Sequence, residues 1–358
     1  MRILFTGGGT GGHIFPIVAV KETLALDKEA EFLYVGPDGF AKDIFKKKGI
    51  RCKFILAGKL RRYFSLANFI DLLKIPVGLI QSLWHVFWFM PDAVFSKGGY
   101  GSISVVLVSW FYRIPIIVHE SDSVPGLANR ILASFAKKII ISFETAKEYF
   151  SPEKTILLGN PVREELTQGS REEGKKLFEL TLEKPVVLVM GGSQGAQRIN
   201  EIVLNTLPRL LEKCEIIHVC GEKNYKQIET SSQKKLYHLL PFLEEEKLKH
   251  AYAVSDIIVS RAGAGGIFEI AATGKPSILL PLSTAASDHQ KKNAWALTKI
   301  GGAIALEEKN ITMNMFLDAV FELIDDPEKA RRMGEKTKSF YKPDTNRKIV
   351  EEIIKLAK

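Results

Sequence analysis

A glycine-rich stretch near the start of the chain, LFTGGGTGGHIFP at residues 4–16, places a histidine directly after a phosphate-binding pattern. Gly7, Gly9 and Gly12 fit the spacing G-x-G-x-x-G, in which backbone N–H groups and a helix dipole attract a phosphate. The histidine, His13, has a side chain that can accept a proton near neutral pH. The stretch therefore predicts a phosphate site beside a candidate general base, and it leaves open which ligand carries the phosphate.

Three other glycine loops share this pattern: KGGYGS at 97–102, GGSQGA at 191–196 and RAGAGG at 261–266. Each follows a short apolar run that is typical of a buried β-strand, and open α/β sheets bind ligands at the carboxyl ends of their strands. One glycine turn is weak evidence, because any parallel sheet needs tight turns. Four such loops predict phosphate binding in both halves of the chain.

An NAD site does not fit the first loop. Such a site needs an acidic residue at the end of the second strand, about 20 residues after the first glycine. The chain reads YVGPDG there, and Asp38 comes two residues too late. The chain also lacks the P-loop pattern G-x-x-x-x-G-K-[ST], and it has no Asp-x-Asp pair to chelate a metal-bound sugar diphosphate. We therefore predict neither a cofactor nor a metal, and a diphosphate neutralised by helix ends and protein cations.

The elements around these loops alternate between strand and helix in two series. The strand candidates of the first are RILFT, EFLYVG, DAVFS, PIIVHE and KKIIIS, and those of the second are PVVLVM, CEIIHVC, DIIVS, PSILLPL and GGAIAL. Continuous apolar strands separated by helices predict parallel sheets covered on both faces, hence an α/β fold. A chain of 358 residues also favours two domains. We predict Rossmann-like domains at 1–160 and 161–340, joined near residues 159–166, with a final helix at about 341–358 packing back on the first domain.

The composition is that of a soluble globular protein, with 46% hydrophobic and 25% charged residues and a net charge of +9. Three cysteines do not make a disulfide framework. The first residues run straight into the glycine loop without a signal-peptide pattern, so we expect a cytoplasmic protein.

One segment, residues 59–92, breaks the alternation because it is long, apolar and aromatic. Charged residues and Pro76 interrupt it, so it does not predict a membrane span. Two interpretations stay open: a buried helix, or a helix whose outer face lies in an anionic membrane interface. The second rests on basic and aromatic residues at the ends of the segment: Lys59, Arg61, Arg62, Tyr63, Phe64, Trp84, Phe87 and Trp88.

Six motifs occur in the order GGTGGH, HESDSVPGLANR, GNPVR, GGSQGA, SRAGAGGIFEIAATGKP and DHQKKNA. As a set they closely resemble the MurG family of N-acetylglucosaminyltransferases, over essentially the whole chain. The resemblance implies the GT-B fold, in which two Rossmann-like domains face a central cleft. It also implies transfer of N-acetylglucosamine, with inversion, from UDP to the 4-hydroxyl of the lipid-anchored muramyl-pentapeptide lipid I, which gives lipid II for peptidoglycan. The implied place is the cytoplasmic face of the membrane.

The resemblance also implies roles for individual residues. Ser193 would bind the donor phosphate, Arg163 would face the same diphosphate, and Glu269 would take the two ribose hydroxyls. Leu243 would read the uracil edge through its backbone, and Gln290 would hold the sugar hydroxyls. The complete donor set is Thr10, Gly11, Gly12, Asp122, Arg163, Ser193, Leu243, Ala264, Glu269 and Gln290. The acceptor diphosphate is expected at Gly9, Gly98, Gly99 and Asn129.

Two candidate general bases follow, His13 and Glu120, and the sequence does not decide between them. The chain also departs from the family pattern at Asp122, where an asparagine is expected. A negative charge beside diphosphates is unfavourable unless it is protonated or paired. Further on, His289 replaces a glutamine found in some members.

Two other functions compete with this one. A UDP-N-acetylglucosamine 2-epimerase has the same fold and donor but no lipid acceptor, and the aromatic segment at 59–90 argues against it. A membrane-surface scaffold with a degenerate transferase fold is disfavoured by the intact Arg163, Ser193, Glu269 and Gln290. The expected partners are UDP-N-acetylglucosamine, lipid I, an anionic membrane and proteins of cell-wall synthesis or division. Nucleic acid is not expected.

Overall fold

The chain folds into two α/β units, one formed by Met1–Pro161 with Pro343–Lys358 and the other by Val162–Lys342. The computed structural model describes residues 1–27, 29–39, 41–58, 66–191, 196–229, 235–285 and 288–358. Each unit holds a parallel sheet with helices on it, which confirms the predicted α/β fold with two Rossmann-like domains.

The first unit contains a seven-stranded sheet in which all neighbouring strands run parallel, in the order β3-β2-β1-β4-β5-β6-β7. The direction of strand order reverses between β1 and β4, so the ligand-binding crevice of such a sheet lies at their carboxyl ends. The strands are β1 (Arg2–Thr6), β2 (Glu31–Gly36), β3 (Arg51–Phe54), β4 (Ala93–Ser96), β5 (Ile116–Glu120), β6 (Lys138–Ile141) and β7 (Thr155–Leu157).

Helices cover both faces of this sheet because its strand residues alternate between two buried clusters. Ile3 and Phe5 of β1 pack with Ile14 and Ile17 in one cluster, whereas Leu4 packs in the other. The helices are α1 (Gly11–Asp27), α2 (Ala41–Lys47), α3 (Leu66–Phe89), α4 (Ile103–Phe111), α5 (Leu127–Leu132) and the C-terminal helix (Thr345–Leu356), with short 3-10 helices at Tyr100–Ser102, Glu144–Tyr149 and Pro152–Lys154.

The C-terminal helix belongs to the first unit, although it follows the whole second unit in sequence. Its residues Ile349, Val350 and Ile353 are fully buried in the same cluster as Ile3 and Phe5. The Thr345 hydroxyl donates a hydrogen bond of 2.7 Å to the Leu158 carbonyl. The helix therefore completes one face of the first sheet.

The second unit contains a six-stranded parallel sheet in the order β10-β9-β8-β11-β12-β13, and its order reverses between β8 and β11. The strands are β8 (Val186–Met190), β9 (Glu215–Val219), β10 (Tyr237–Leu240), β11 (Ile257–Ser260), β12 (Ser277–Leu279) and β13 (Ala303–Ala305). The helices are α6 (Arg171–Leu177), α7 (Gln197–Lys213), α8 (Glu222–Glu229), α9 (Glu245–Val254), α10 (Ala264–Thr273), α11 (His289–Lys299), α12 (Met313–Asp325) and α13 (Pro327–Phe340), with a 3-10 helix at Glu164–Thr167.

The apolar segment at 59–92 forms α3, and its residues 59–65 lie outside the described part of the chain. One face of α3 packs on the sheet through the fully buried Val86. On the opposite face, Trp84, Phe87 and Trp88 are 62%, 53% and 66% exposed. The interpretation as a wholly buried helix is therefore wrong. Within the described residues, no helix has the length and apolar character needed to cross a membrane.

Candidate active-site residues in the two units

Three of the four glycine loops lie within the described residues, and they follow β1, β4 and β11 at the two points where strand order reverses. In the first unit, the loops after β1 and β4 are neighbours because these strands pair directly. In the second unit, β11 pairs with β8, and the RAGAGG loop follows β11. Residues 192–195, including the predicted phosphate ligand Ser193, lie outside the described residues. The described crevice of the first sheet is therefore lined by two glycine turns, and that of the second by the turn after β11.

His13 lies in the first turn of α1, between the two glycine loops of the first unit. Its Nδ1 is 2.9 Å from the Thr10 hydroxyl. A Cβ atom at Gly8 would come within 3.1 Å of the imidazole, and one at Gly99 would come within 3.3 Å of Nε2. These glycines therefore make room for a histidine ring, which the sequence pattern alone did not show.

Gly98 has a left-handed backbone with φ of 77°, and a Cβ atom there would lie 1.6 Å from Asn129 Oδ1. Only glycine fits at this position. The Asn129 amide in turn donates a 2.8 Å hydrogen bond to Glu120, and the backbone N–H of Asp122 donates another of 2.8 Å. Gly98, from the KGGYGS loop, thus lies together with Glu120, Asp122 and Asn129 of the motif HESDSVPGLANR.

The two candidate bases differ in environment. Glu120 ends β5, is 3% exposed, and uses both carboxylate oxygens as acceptors. Burial, together with the charge of Asp122, raises the pKa of Glu120 to about 7. His13 is half-buried, and burial, together with the charge of Lys97, lowers its pKa to about 4. At neutral pH the imidazole is therefore unprotonated and able to accept a proton.

The remaining predicted residues of the first loop lie around His13. Gly9 is half-buried, Thr10 and Gly12 are exposed, and Gly11 begins α1 and is buried. Gly12 is open: no described atom outside the neighbouring helix backbone lies within 4 Å of a Cβ built on it. A ligand can therefore approach the N-terminus of α1 closely at this point.

In the second unit, Arg163 and Glu269 form a buried ion pair. Arg163 Nη2 lies 2.8 Å from Glu269 Oε1, and the Tyr252 hydroxyl donates to Glu269 Oε2 at 3.2 Å. Glu245 lies 3.8 Å from the same guanidinium. Burial of Arg163 favours its neutral form, but Glu269 and Glu245 outweigh burial and raise its pKa. Glu269 is therefore held by protein partners, among which the sequence analysis missed Tyr252.

The other predicted donor residues stand on the rims of the second crevice. Ala264 begins α10 directly after β11, and no described atom outside that helix's own backbone lies within 4 Å of a Cβ built on Gly263 or Gly265. Leu243 is 5% exposed and lies between β10 and α9. Gln290 lies in the first turn of α11 and accepts a 2.9 Å hydrogen bond from the Leu282 N–H. These three residues come from three separate loops.

The sequence analysis missed a buried lysine and its polar neighbours in the first unit. Lys97 follows β4 with 1% of its surface exposed and contacts His119, Ser121 and Asn160. The available signal was Lys97 itself. It follows the strand AVFS, whose first three residues are apolar, and it directly precedes Gly98 and Gly99.

Two family models match the chain: the glycosyltransferase family 28 N-terminal domain at residues 3–141 and the C-terminal domain of the same family at residues 186–349. The chain is 40% identical over 330 residues to the UDP-N-acetylglucosamine–N-acetylmuramyl-(pentapeptide) pyrophosphoryl-undecaprenol N-acetylglucosamine transferase 2 of Bacillus cereus. That match covers 92% of this chain and 93% of the relative.

Solved structures are similar over the same extent. MurG of Acinetobacter baumannii matches with a TM-score of 0.75 and 25% identity over 99% of both chains. A UDP-GlcNAc 2-epimerase of Neisseria meningitidis, bound to UDP-GlcNAc, has a TM-score of 0.70 over 99% of this chain and 100% of that one, but only 15% identity. The likeness to the epimerase therefore concerns the fold alone. From the two family models and the relative at 40% identity, the chain belongs to glycosyltransferase family 28 and, within it, to the MurG family.

Proposed function

We propose that this chain transfers N-acetylglucosamine from UDP-N-acetylglucosamine to the 4-hydroxyl of lipid I, with inversion, and so makes lipid II. The observation that carries the proposal is 40% identity, over 92% of the chain, to the Bacillus cereus relative, whose name describes this transfer. The glycine loops at the carboxyl ends of β1 and β4 in the first unit and of β11 in the second, together with the GGSQGA motif that follows β8 in the sequence, suit a reaction between two diphosphate-bearing substrates.

The donor is assigned to the second unit. The N-terminus of α10, which starts at Ala264 behind the open Gly263, offers N–H groups and a positive dipole end to the diphosphate. Ser193 of the GGSQGA motif supplies a further hydrogen-bond donor to the diphosphate. Leu243 presents its backbone to the uracil, and the Gln290 amide faces the sugar hydroxyls.

Glu269 is the proposed ribose ligand, because a carboxylate accepts both hydrogens of a cis-diol. Arg163 and Tyr252 hold this carboxylate in place before the donor arrives. Such preorganisation lowers the entropy cost of binding. Arg163 then serves the donor in two ways, through Glu269 and by bringing a buried positive charge toward the diphosphate.

The acceptor is assigned to the first unit. Its diphosphate would meet the N–H groups of Gly9, Gly98 and Gly99, and Asn129 holds this loop through its contact with Gly98. The Oδ1 atom of Asn129 is buried against Gly98 and has no hydrogen-bond partner among the described residues. Thr10, Gly11, Gly12 and Asp122 keep the donor-binding role that the family resemblance implies.

In the chemical step, the 4-hydroxyl oxygen of the acceptor forms a bond to C1 of N-acetylglucosamine while the bond from C1 to the UDP oxygen breaks. The base takes the hydroxyl proton, and UDP leaves with its charge stabilised by the α10 N-terminus. His13 is our choice of base, because its ring is half-buried and unprotonated at neutral pH. Glu120 already uses both oxygens within the protein.

The membrane contact is assigned to one face of α3, here called the apolar face of α3. It consists of exposed apolar residues at helical spacing: Leu73, Val77, Ile80, Trp84, Phe87 and Trp88. The exposed Trp110 and Phe111 of the neighbouring α4 extend it, and Arg113, Lys137 and Lys154 line a pocket beside Trp110. Aromatic residues beside cations suit an anionic lipid surface, so we propose a peripheral position on the cytoplasmic face of the membrane.

One assay tests the proposed function. The protein is incubated with UDP-N-acetylglucosamine with and without a soluble lipid I analogue, and released UDP and the sugar product are followed. We expect UDP release only with the acceptor, together with a disaccharide product. UDP release without an acceptor, accompanied by an N-acetylmannosamine product, would favour the epimerase reaction. No turnover in either mixture would contradict both enzymatic functions.

A further inference from the structure

Lys97 is a charged residue in an interior position. It follows β4 at its carboxyl end, directly before Gly98 and Gly99, and only 1% of its surface is exposed. A lysine is rarely buried to this extent unless its charge is compensated, because transfer of an ammonium group out of water is costly. The groups around Lys97 must therefore provide the compensation.

The ammonium has three hydrogens, and three acceptors surround it. They are His119 Nδ1 at 2.7 Å, Ser121 Oγ at 2.5 Å and Asn160 Oδ1 at 3.3 Å. The Nε2 atom of His119 lies 3.0 Å from the Gly159 carbonyl, which can only accept, so Nε2 carries the ring proton and Nδ1 accepts from Lys97. The Ser121 hydroxyl donates to Asn160 Oδ1 at 3.0 Å. This arrangement fits a protonated Lys97.

The three hydrogen-bond partners of Lys97 are uncharged, so its charge must be balanced by other groups. Lys97 contacts Ser121, the residue between Glu120 and Asp122, so these two carboxylates are the nearest acidic groups in sequence to its contact. Burial lowers the pKa of Lys97 to about 7, and the two carboxylates oppose that effect, so Lys97 is mainly protonated below neutral pH. Lys97 in turn favours the ionised form of Glu120. The cation and the two carboxylates therefore form one electrostatic unit at the carboxyl ends of β4 and β5.

We propose that Lys97 is a positioning residue whose ammonium is the counter-charge for the carboxylates of Glu120 and Asp122. The cation allows this chain to carry an aspartate at position 122 beside a diphosphate site, where a further negative charge is otherwise unfavourable. The inference rests on the proposed function for the diphosphate site, whereas the electrostatic unit rests on the burial of Lys97 and on its contact with Ser121, which lies between Glu120 and Asp122 in the chain.

The titratable groups coupled to Lys97 come from each element packed around it: His13 from α1, His119 and Glu120 from β5, and Asp122 from the loop after β5. Removal of the cation raises the pKa of both His13 and Glu120, because each then loses a nearby positive charge. Removal of the Asp122 carboxylate lowers both. The two substitutions therefore have opposite signs, whichever residue is the base.

The test compares Lys97→Met, Asp122→Asn and the double variant by the pH dependence of kcat/KM with a soluble acceptor analogue. A base must be unprotonated, so activity rises as pH increases through its pKa. This rise is the acidic limb of the pH profile. We expect Lys97→Met to move the acidic limb to higher pH by about one unit or more, and Asp122→Asn to move it to lower pH. The double variant should have a limb near that of the wild type and, at a pH below both limbs, about tenfold more activity than Lys97→Met alone.

A second readout needs no turnover. The imidazole of His13 is titrated by NMR in the same variants, with Lys42→Met, the loss of an exposed lysine on α2, as the charge-matched control. We expect the pKa of His13 to rise in Lys97→Met, to fall in Asp122→Asn and to stay unchanged in Lys42→Met. If Lys97→Met does not fold, Lys97→Gln replaces it in both measurements, because it also removes the charge and keeps a hydrogen-bond donor for the partners of Lys97.

The outcomes separate the inference from the proposed function. A wild type that makes no product but shows the expected His13 shifts contradicts the proposed function and leaves the electrostatic unit standing. An active wild type whose limb and His13 titration are unmoved by Lys97→Met overturns the inference. The inference is also overturned if the losses in kcat/KM of the two single variants multiply in the double variant and its acidic limb does not return to that of the wild type.

Discussion

At the residue scale, the pH dependence of the reaction should identify the base. The pKa of His13 is lowered to about 4 and that of Glu120 is raised to about 7. A base is active when unprotonated, so His13 as base predicts a flat rate from pH 6 to 8 and an acidic limb below pH 5. We expect that profile, together with a loss of about 10²–10⁴ in kcat for His13→Ala.

The control for this prediction is Glu120→Gln, which keeps the shape of the side chain and an acceptor for the Asn129 amide. A limb near pH 7 in the wild type that disappears in Glu120→Gln would assign the base to Glu120 instead. The profile therefore decides a question that the sequence left open.

A second residue-scale prediction concerns Glu269. The structure shows that Glu269→Ala also leaves Arg163 without its 2.8 Å partner, so a raised donor KM alone would not prove a ribose contact. We expect KM for the donor to rise by one to two decades, from the loss of a charge-assisted hydrogen bond worth roughly 1.5–3 kcal/mol. The decisive measurement is the affinity ratio between UDP and its 2′,3′-dideoxy analogue.

This ratio should exceed tenfold in the wild type and approach one in Glu269→Ala. Tyr252→Phe is the matched control, because it removes one hydrogen bond to Glu269 and leaves the carboxylate and Arg163 in place. A ratio that stays the same in Glu269→Ala would show that Glu269 acts on Arg163 only.

Residue types in motifs predicted which side chains meet in the first unit, but not how they are held. The loop carrying Gly98 and the Asn129 of a distant motif were both selected from the sequence, and the structure brings them into contact. The sequence analysis did not single out Lys97, because a lysine beside a glycine loop is usually an exposed phosphate ligand. Its true environment depends on Asn160, 63 residues away, which a local pattern does not include.

At the element scale, the central strands could be predicted and three edge strands could not. The sequence analysis identified the apolar runs of β1, β2, β4, β5 and β6 and of β8, β9, β11, β12 and β13. It missed β3, β7 and β10, which lie at sheet edges and have exposed or half-buried residues. These three edge strands are covered less completely, so they lack the continuous apolar run that reveals a central strand. The fourth edge strand, β13, could be predicted because its residues AIA are all apolar.

The apolar face of α3 carries the element-scale prediction. Its aromatic residues contact one another: the ring centroids of Trp84 and Trp88 lie 5.6 Å apart, and those of Phe87 and Trp88 lie 5.8 Å apart. We expect the triple variant Trp84→Ser, Phe87→Ser and Trp88→Ser to lose binding to anionic liposomes, measured by co-sedimentation. Turnover of a short-chain, soluble acceptor should remain, because this face is distinct from the glycine loops.

The matched control is Trp295→Ser, which removes a tryptophan of similar exposure, 53%, from α11 of the second unit. This variant should bind liposomes like the wild type. If the folded triple variant still binds them, the membrane contact lies elsewhere on the protein.

At the scale of the whole molecule, the end of the chain completes its first unit. Ile353 of the C-terminal helix is fully buried in the cluster that also contains Phe5 and Phe95. We expect Ile353→Ala to lower the free energy of unfolding of the first unit by about 2–5 kcal/mol. Denaturant unfolding of the variant measures this, with the exposed Arg347→Ala on the same helix as control. Equal stability of the two variants would contradict the assigned packing.

The arrangement of both sheets also predicts how the donor diphosphate is neutralised. The first sheet presents two glycine loops at its switch point, and in the second unit the start of α10 is open behind Gly263. Because N–H groups and helix dipoles can stabilise a diphosphate without a cation, we expect UDP to bind without a divalent ion. Isothermal titration calorimetry with UDP should give dissociation constants within about threefold of each other in EDTA, magnesium and manganese, since a threefold change is only about 0.65 kcal/mol. UDP affinity that is lost in EDTA and restored by either metal would show that a cation replaces the helix N-terminus in this role.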